Sequence, residues 1–320
     1  MKRAIAAVML CIMGLFSVCY AEELLPYALE RRIYFVNDEC FIVKDDGTVF
    51  LNRAAKEDFP EVVEWTDIQA VSVDTNTVLG LRRDGTVVAT GSENHFGEMD
   101  VDGWTDVVQV ETDLWSSYGL TKDGNLIHTE EIFYEDKDQE TFARYEWSNL
   151  KEIAADSGYL FALTDDGHVI STYDDDFSVL EDVVHIYAEH MDAYFLHGDG
   201  SYSLYSIYGG GFLCRNRDRQ PLYPDRVRYP AQISIFRERW GSHSVYLDSY
   251  GGLHADEYSS YRQLDAENII AVCGGIYVDA DGGLHSIVDM DAEEPLPVFD
   301  LSRYQRQGEK WENQTGASQN

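Results

Sequence analysis

Seven arginines in one short segment are the side chains whose types and spacing most clearly suggest a binding site in this sequence. They stand among three acids, which leaves a net charge of +4 in a chain whose formal net charge is −34. A guanidinium group binds a carboxylate or a phosphate through paired hydrogen bonds. We therefore predict that the segment docks an anionic partner, with internal pairing to acids of neighbouring elements as the alternative. The predicted binding residues are Arg215, Arg217, Arg219, Arg226, Arg228, Arg237 and Arg239.

No catalytic or metal-binding motif accompanies these arginines. The nine histidines are scattered, and the sequence has no Walker loop, no G-x-S-x-G turn and no H-E-x-x-H pattern. Residues 279–291 are rich in aspartate but lack the ligand spacing of a calcium loop. A glycosidase needs two carboxylates across a cleft, and 58 acids offer too many candidates to choose a pair. We predict no catalytic residue, no metal and no cofactor, with a carbohydrate-active enzyme that uses a carboxylate pair as the alternative.

The first 21 residues have the three parts of a secretory signal peptide. Lys2 and Arg3 form a basic start, residues 4–18 are apolar, and Ala21 supplies a small residue before the acidic pair that follows. A retained membrane anchor is the alternative, because the apolar run is about as long as a short span. We predict cleavage after Ala21, no membrane insertion afterwards, and a location outside the cell or in the cell envelope.

The net charge excludes one class of partner, and the cysteine content indicates how the thiols are used. A chain this acidic repels phosphate backbones, so we predict no nucleic-acid partner. Three cysteines remain after residue 21, at Cys40, Cys214 and Cys273, each within an apolar context. Three widely separated thiols are not a disulfide framework, although one bridge with one free thiol stays open. We interpret them as small buried hydrophobic side chains.

One sequence unit recurs seven times along the chain. It consists of an apolar strand, a short turn with Asp and Gly, and a second strand, as in FIVKDDGTVFL and VLGLRRDGTVVAT. Asp-Gly between alternating apolar runs is the strongest short-range hairpin signal, because tight turns need residues that tolerate a positive φ. The turn glycines are Gly47, Gly85, Gly124, Gly167, Gly200, Gly251 and Gly282.

The period of this unit predicts the fold class. Successive turn glycines are 31 to 51 residues apart, which brackets the length of one propeller blade. A further alternating strand precedes most hairpins, as in WTDIQAVSVD from Trp65 and WTDVVQVETD from Trp104. We predict an all-β, seven-bladed β-propeller over residues 22–302, with a strand from residues 295–301 closing the ring. An open β-solenoid is the alternative, and residues 303–320 are predicted to be a disordered tail.

The stretch from Trp65 to Thr129 resembles the regulator-of-chromosome-condensation repeat of secreted bacterial proteins. The resemblance lies in the W-T-D-I start of a repeat, the L-x-x-D-G-T-V-V-A-T-G hairpin, and the N-x-x-G that leads to G-W-T-D. It implies a seven-bladed propeller. The pattern is degenerate elsewhere, and the histidine that family repeats carry before the hairpin is retained only at His243. No functional residue is therefore carried over from the family.

The function predicted from these observations is binding. We expect a secreted, monomeric, non-catalytic propeller that binds a protein, an anionic glycan or a cell-envelope polymer through its loops. Exchange of nucleotide on a GTPase, the activity of the family's eukaryotic archetype, is not expected of an exported chain with this charge.

Overall fold

The chain is mostly β structure in many small antiparallel sheets. The computed structural model describes residues 25–36, 38–92, 94–129, 147–172, 176–189, 192–198, 201–206, 211–212, 230–238, 241–248, 252–255, 268–287 and 291–304. Within these ranges the strands form seven sheets, six of three strands and one of four. Each sheet follows chain order from one strand to its neighbour, so every connection inside a sheet is a hairpin.

The first four sheets have three strands each. Their strands are β1 Ile33–Val36, β2 Glu39–Val43 and β3 Val49–Leu51; β4 Ile68–Val73, β5 Thr77–Arg82 and β6 Val87–Gly91; β7 Val107–Thr112, β8 Ser117–Thr121 and β9 Leu126–His128; β10 Leu150–Asp156, β11 Tyr159–Thr164 and β12 Val169–Ser171. The remaining strands are β13 Val183–Glu189, β14 Asp192–His197, β15 Tyr202–Ser206 and β16 Gly211–Phe212; β17 Pro230–Glu238, β18 Gly241–Asp248 and β19 Leu253–Ala255; β20 Ile269–Cys273, β21 Ile276–Asp279 and β22 Leu284–Ser286.

Helices within the described residues are short. The α-helices are α1 Leu25–Glu30 and α2 Arg53–Asp58, and the 3-10 turns are Pro60–Glu64, Phe177–Val179 and Leu301–Tyr304. Asn52 starts α2, because its side-chain oxygen accepts a hydrogen bond from the Ala55 amide. The same oxygen accepts from the Cys40 amide at 3.0 Å, so the cap also ties the helix to the first sheet. None of the helices in the described ranges is long and apolar enough to cross a membrane.

The seven predicted hairpins are confirmed, and their turns show why Asp and Gly recur. Gly47 and Gly85 have φ of +84° and +81°, a region that glycine enters without steric cost. The aspartate before each glycine closes its own turn: Asp46 and Asp84 accept from the amides of Thr48 and Thr86 at 2.9 and 3.0 Å. The aspartates of these turns therefore have a local conformational role.

A second recurring device connects four of these turns, those of Gly47, Gly85, Gly124 and Gly167, to the sheet that follows. The residue before the first strand has φ between +58° and +62° in five sheets, and these residues are Asp67, Asp106, Asn149, Asp182 and Asn268. At the first of them, the carbonyl of Asp67 accepts from the Arg83 amide of its own hairpin, and the amide of Ile68 donates to the Gly47 carbonyl of the preceding hairpin. We call this pair of backbone bonds the joint. Asp and Asn fit here because they tolerate the left-handed region better than other residues with a side chain.

The first strand of six sheets contains a β-bulge near its start. The register shifts by one residue at Gln69, Val108, Lys151, Val184, Ala231 and Ile270. A bulge inserts one extra residue and increases the local twist of the strand. The residue that follows the bulge therefore holds the same place in every one of these sheets.

The first and last sheets pack against each other through one shared core. This core contains Phe35 and Cys40 from the first sheet together with Val272 and Cys273 from the last, all buried. Both cysteines are free thiols, and burial raises the pKa of the Cys40 thiol. Phe299 joins the same core at 2% exposure, and the Arg32 guanidinium lies 4.0 Å from the centre of its ring.

Three details of the predicted architecture are corrected. The expected closing strand does not form, because Val298 makes a single bridge to Gly283 and Phe299 packs into the core instead. The first sheet takes its own first strand, β1, from residues 33–36. No strand was predicted in the second half of the arginine-rich segment, where β17 forms over residues 230–238. The proposed tail starts inside the last 3-10 turn, and residues 305–320 lie outside the described ranges, as does the predicted signal peptide.

Candidate functional site: the central cavity

The first strands of six sheets line one common cavity. Strands β1, β4, β7, β10, β13 and β20 each contribute residues to its wall, and its volume is about 80 Å³. Small side chains make the space: Ala70, Ala154 and Gly274 face it from three different sheets. Convergence of so many first strands on one cavity makes it the natural candidate for a ligand site.

Two side chains at the position after the bulge bind the next sheet in the same way. Gln109 accepts from the Ile153 amide at 3.1 Å and donates to the Ile153 carbonyl at 2.6 Å. Glu152, one sheet later, accepts from the Ile186 amide at 3.2 Å. The neutral side chain of Gln109 and the carboxylate of Glu152 thus accept the same hydrogen bond from the next sheet. The negative charge of Glu152 is therefore not needed for that bond.

The charge of Glu152 is balanced by a histidine at the same position of the next sheet. His185 Nδ1 lies 2.8 Å from Glu152 Oε1, and His185 Nε2 lies 3.3 Å from Glu30 Oε2. Arg31 approaches the same Glu152 oxygen at 3.6 Å. Glu30 is the last residue of α1 and Arg31 follows it in the turn before β1, which the Val71 amide anchors by donating to the Arg31 carbonyl at 3.0 Å.

These contacts fix the protonation of the pair. Burial disfavours a charged histidine, but Glu152 and Glu30 overcome it and raise the pKa of His185 to about 10. Burial also opposes ionisation of Glu152, and His185, Arg31 and the Ile186 amide together hold its pKa below the usual value. At neutral pH the pair is a carboxylate facing an imidazolium.

Glu111 differs from Glu152 although it lines the same cavity. Its described contact is with Gln109, whose side-chain nitrogen donates to Oε1 at 2.8 Å. Burial raises the pKa of Glu111 to about 8, helped by the charges of Glu152 and Glu30 and opposed by the Gln109 hydrogen bond and by Arg31. At neutral pH the Glu111 carboxyl is therefore mostly protonated.

The predicted arginine site is not among these residues. Arg215, Arg217, Arg219, Arg226, Arg228 and Arg239 lie outside the described residues. Arg237 is placed by its backbone alone, in β17 opposite Ser242. The anionic-partner hypothesis for this segment stays a prediction.

The described part of the chain contains no cluster of side chains suited to binding a metal ion. No group of three or more His, Cys, Asp or Glu side chains there is arranged to hold a metal ion. In the aspartate-rich stretch, Asp279 accepts from the amides of Asp281 and Gly283 at 2.9 Å and lies 2.7 Å from a ring nitrogen of His285. Its carboxylate is therefore engaged in the turn itself.

The cavity residues were missed from the sequence because they belong to no motif. A signal was present: with the repeats aligned on the strand that precedes each hairpin, Gln109, Glu152 and His185 occupy one column. Glu30 and Arg31 lie outside the repeats, and only the fold brings them to that column.

No family model matches the chain, and no curated protein matches it. Among solved structures, it is similar to yeast RCC1 (Prp20), in a complex with Kap60, at 14% identity and a TM-score of 0.49, over 82% of this chain and 79% of that one. It is also similar to the CRINKLY WD40 ectodomain of the Arabidopsis thaliana receptor kinase ACR4, at 12% identity and a TM-score of 0.49, over 77% and 89%. BamB from Moraxella catarrhalis gives 10% identity and a TM-score of 0.39, over 85% and 88%. Likeness at this level carries no conclusion about function.

Proposed function

We propose that this chain is a secreted, seven-bladed β-propeller that acts as a non-catalytic binding module for a protein or glycan partner. The observation that carries the proposal is the repeated arrangement itself: sheets linked by joints, first strands around one cavity, and the first sheet packed on the last. Radial closure of this kind leaves only short strand edges and presents turns at the ends of the ring. Turns of this sort are where such scaffolds bind.

One end of the ring has a strongly acidic surface, which we call the turn face. It consists of the exposed acids of the hairpin turns and joints: Asp46, Asp67, Asp84, Asp106, Asp123, Asp165, Asp166, Asp182 and Asp281. Few basic residues share it, and Arg83 and Lys122 are the exposed ones among the described turn residues. Such a surface favours a basic protein over an acidic one and steers its approach at low salt.

The test is capture of partners from culture and envelope fractions by the purified chain. We expect capture that weakens between low and high salt, and that weakens further when Asp123, Asp165 and Asp281 are changed to asparagine. A matched control changes Glu57, Glu61 and Glu64 to glutamine, which removes equal charge from the exposed segment after the first sheet. Equal loss in both variants would contradict a role for the turn face. Loss only on charge reversal of Arg226 and Arg228 would assign binding to the arginine segment.

A second candidate function, carbohydrate hydrolysis, has one observation in its favour. Glu111 is mostly protonated and Glu152 is ionised in the same cavity, which is the division of roles that a glycosidase needs. Against it, the cavity of about 80 Å³ is roughly half the size of an engineered cavity of about 150 Å³ that holds benzene. Release of sugar from a polysaccharide panel, abolished by E111Q and by E152Q, would favour the enzyme. Retention without turnover would favour the binding module.

A further inference from the structure

The ionisable side chains of the central cavity do not balance in charge. Three carboxyl groups, of Glu30, Glu111 and Glu152, face two cations, Arg31 and His185. Both cations lie against Glu152, Arg31 at 3.6 Å and His185 at 2.8 Å, and His185 also lies against Glu30. With every group ionised, the cavity would carry one uncompensated negative charge.

The uncompensated negative charge would be that of Glu111. Its described hydrogen bond comes from the neutral amide of Gln109, and no described cation lies within ion-pair distance of it. The Glu111 side chain is partly exposed, but burial still outweighs the hydrogen bond from Gln109 and the attraction of Arg31, so the carboxyl keeps its proton at neutral pH. One further cation placed beside it would allow it to ionise and would neutralise the cavity.

The size and the lining of the cavity restrict which cations can bind there. The volume of about 80 Å³, roughly half that of an engineered cavity that holds benzene, favours a slender head group on a short alkyl stem over a wide ring. Tyr34 and Tyr187 line the cavity, and aromatic rings attract an adjacent cation. Val71 and Ile153 offer apolar surface to methylene groups. A metal ion is a poorer match, because no described cluster has the ligands to hold one.

We propose that the central cavity binds one primary ammonium group, with Glu111 as its counter-ion, and that in the cell this group is the end of a lysine side chain of a protein partner. A lysine head is a compact point charge on a flexible apolar stem, which matches a narrow, partly apolar cavity. The net charge of −34 concentrates cations around the molecule. The lysine assignment rests on the protein-partner half of the proposed function, whereas binding of the ammonium group itself does not.

The experiment is calorimetric titration of the purified chain with n-butylamine, with 1-butanol as the neutral probe of similar shape. We expect n-butylamine to bind and 1-butanol not to bind. Because Glu111 must lose its proton, and the pKa of that carboxyl is raised to about 8, affinity should rise about tenfold from pH 6 to pH 7 and level off above pH 8. The amine stays protonated throughout, since a lysine-like amine has a pKa near 10.4. The groups that face Glu111 are Gln109, Arg31, Glu152 and Glu30, and Glu152 keeps its charge between pH 6 and 8 because its pKa is held below the usual value.

Two variants and one control separate the effect of the Glu111 charge from the effect of the cavity shape. E111Q keeps the shape and the contact with Gln109, and it should weaken binding about tenfold or more at pH 8 and remove the pH dependence. A154V narrows the cavity without changing its charge, and it should weaken binding while the pH dependence persists. The control is E39Q: burial and Asp58 raise the pKa of Glu39 to about 8 as well, but Glu39 does not line the cavity. E39Q should leave both affinity and pH dependence unchanged.

Equal binding of 1-butanol, or unaltered amine binding by E111Q, would overturn the proposal. Absence of amine binding while partner capture persists would overturn this inference and leave the proposed function standing. Amine binding without any captured protein would leave the ammonium site standing and remove the lysine assignment. A thermal unfolding curve for each variant identifies a change that acts through folding alone.

Discussion

At the scale of single residues, Gln109 and Glu152 show how one position serves two purposes. Both satisfy a backbone amide of the next sheet, and only Glu152 also holds a charged partner. The polar layer therefore begins as a structural feature of the repeat, and the charges of Glu152 and His185 are additions to it. Replacing a carboxylate by an amide at this position should separate the two purposes.

E152Q is expected to keep the bond to the Ile186 amide and lose the charge that holds His185 protonated. The pKa of His185, now about 10, should fall toward its ordinary value of 6.5 when followed by NMR. E152A removes the acceptor as well and should lower the free energy of unfolding by about 2–4 kcal/mol, more than E152Q. Equal effects of the two variants would show that the backbone bond contributes nothing.

The raised pKa of Glu111 predicts the direction in which the free energy of unfolding changes with pH. Its folded pKa of about 8 is above the ordinary 4.5, so the stabilisation that its proton provides is complete below pH 4.5 and is lost as the pH rises through 8. E111Q removes this dependence. Urea unfolding should show a wild-type stability that falls relative to E111Q, by roughly 2–4 kcal/mol, between pH 5 and pH 8. His185 adds a later loss, since its ion pairs are lost as the pH rises through 10. A constant difference between wild type and E111Q would contradict the assignment.

At the scale of elements, the hairpins could be predicted from the sequence because their turns need special residues. Asp-Gly marks six of the seven, with Tyr250-Gly251 at the remaining turn, and the strands around all seven pair as expected. Strands β1 and β17 were missed. Neither is preceded by the Trp-Thr-Asp pattern, and the arginine composition around β17 obscured its alternating apolar residues. The joints were also missed, because an isolated Asp or Asn before a strand looks like any polar loop residue.

The left-handed residue of a joint is open to a direct test at Asp67, whose φ is +60°. D67G should change stability by no more than about 0.5 kcal/mol, because glycine takes this conformation freely. D67V should cost about 1–2 kcal/mol, because a β-branched side chain clashes there. T66V, one residue earlier and also exposed, is the matched control with no positive φ. Equal costs for D67V and T66V, measured by urea unfolding, would argue against strain at the joint.

At the scale of the whole molecule, a short segment near the end of the described chain connects the last sheet to the first. The Phe299 amide donates to the Gly282 carbonyl at 2.8 Å, which repeats the turn-to-sheet bond of the joints. The Asp300 amide donates to Asp45 of the first sheet at 2.6 Å. The segment therefore bridges the last hairpin and the first sheet without adding a strand. A closing role for residues 295–301 was predictable, whereas its form depended on packing that no local pattern encodes.

Gly282 and Gly103 provide a matched pair for testing this closure. Both have a positive φ, of +85° and +89°, so alanine strains the backbone similarly at both. At Gly282 an added Cβ would lie 2.1 Å from the Phe299 carbonyl, whereas at Gly103 nothing lies within 4 Å. G282A should therefore cost about 2 kcal/mol or more beyond G103A. F299A should lower stability by about 3–5 kcal/mol. Equal unfolding free energies for the two alanine variants would mean that this segment does not secure the ring.

The joint also affects how a chain of repeats can evolve. Each one is made from backbone atoms alone, a glycine carbonyl on one side and an amide on the other, so it does not depend on which side chains its neighbours carry. A copied or deleted repeat therefore meets compatible partners at both ends. Side chains of the cavity wall can therefore differ between repeats while the joints stay the same, and Gln109 and Glu152 differ in charge although both accept a hydrogen bond from the next sheet. The scaffold is therefore uniform at the joints between sheets and variable in the side chains that line the cavity.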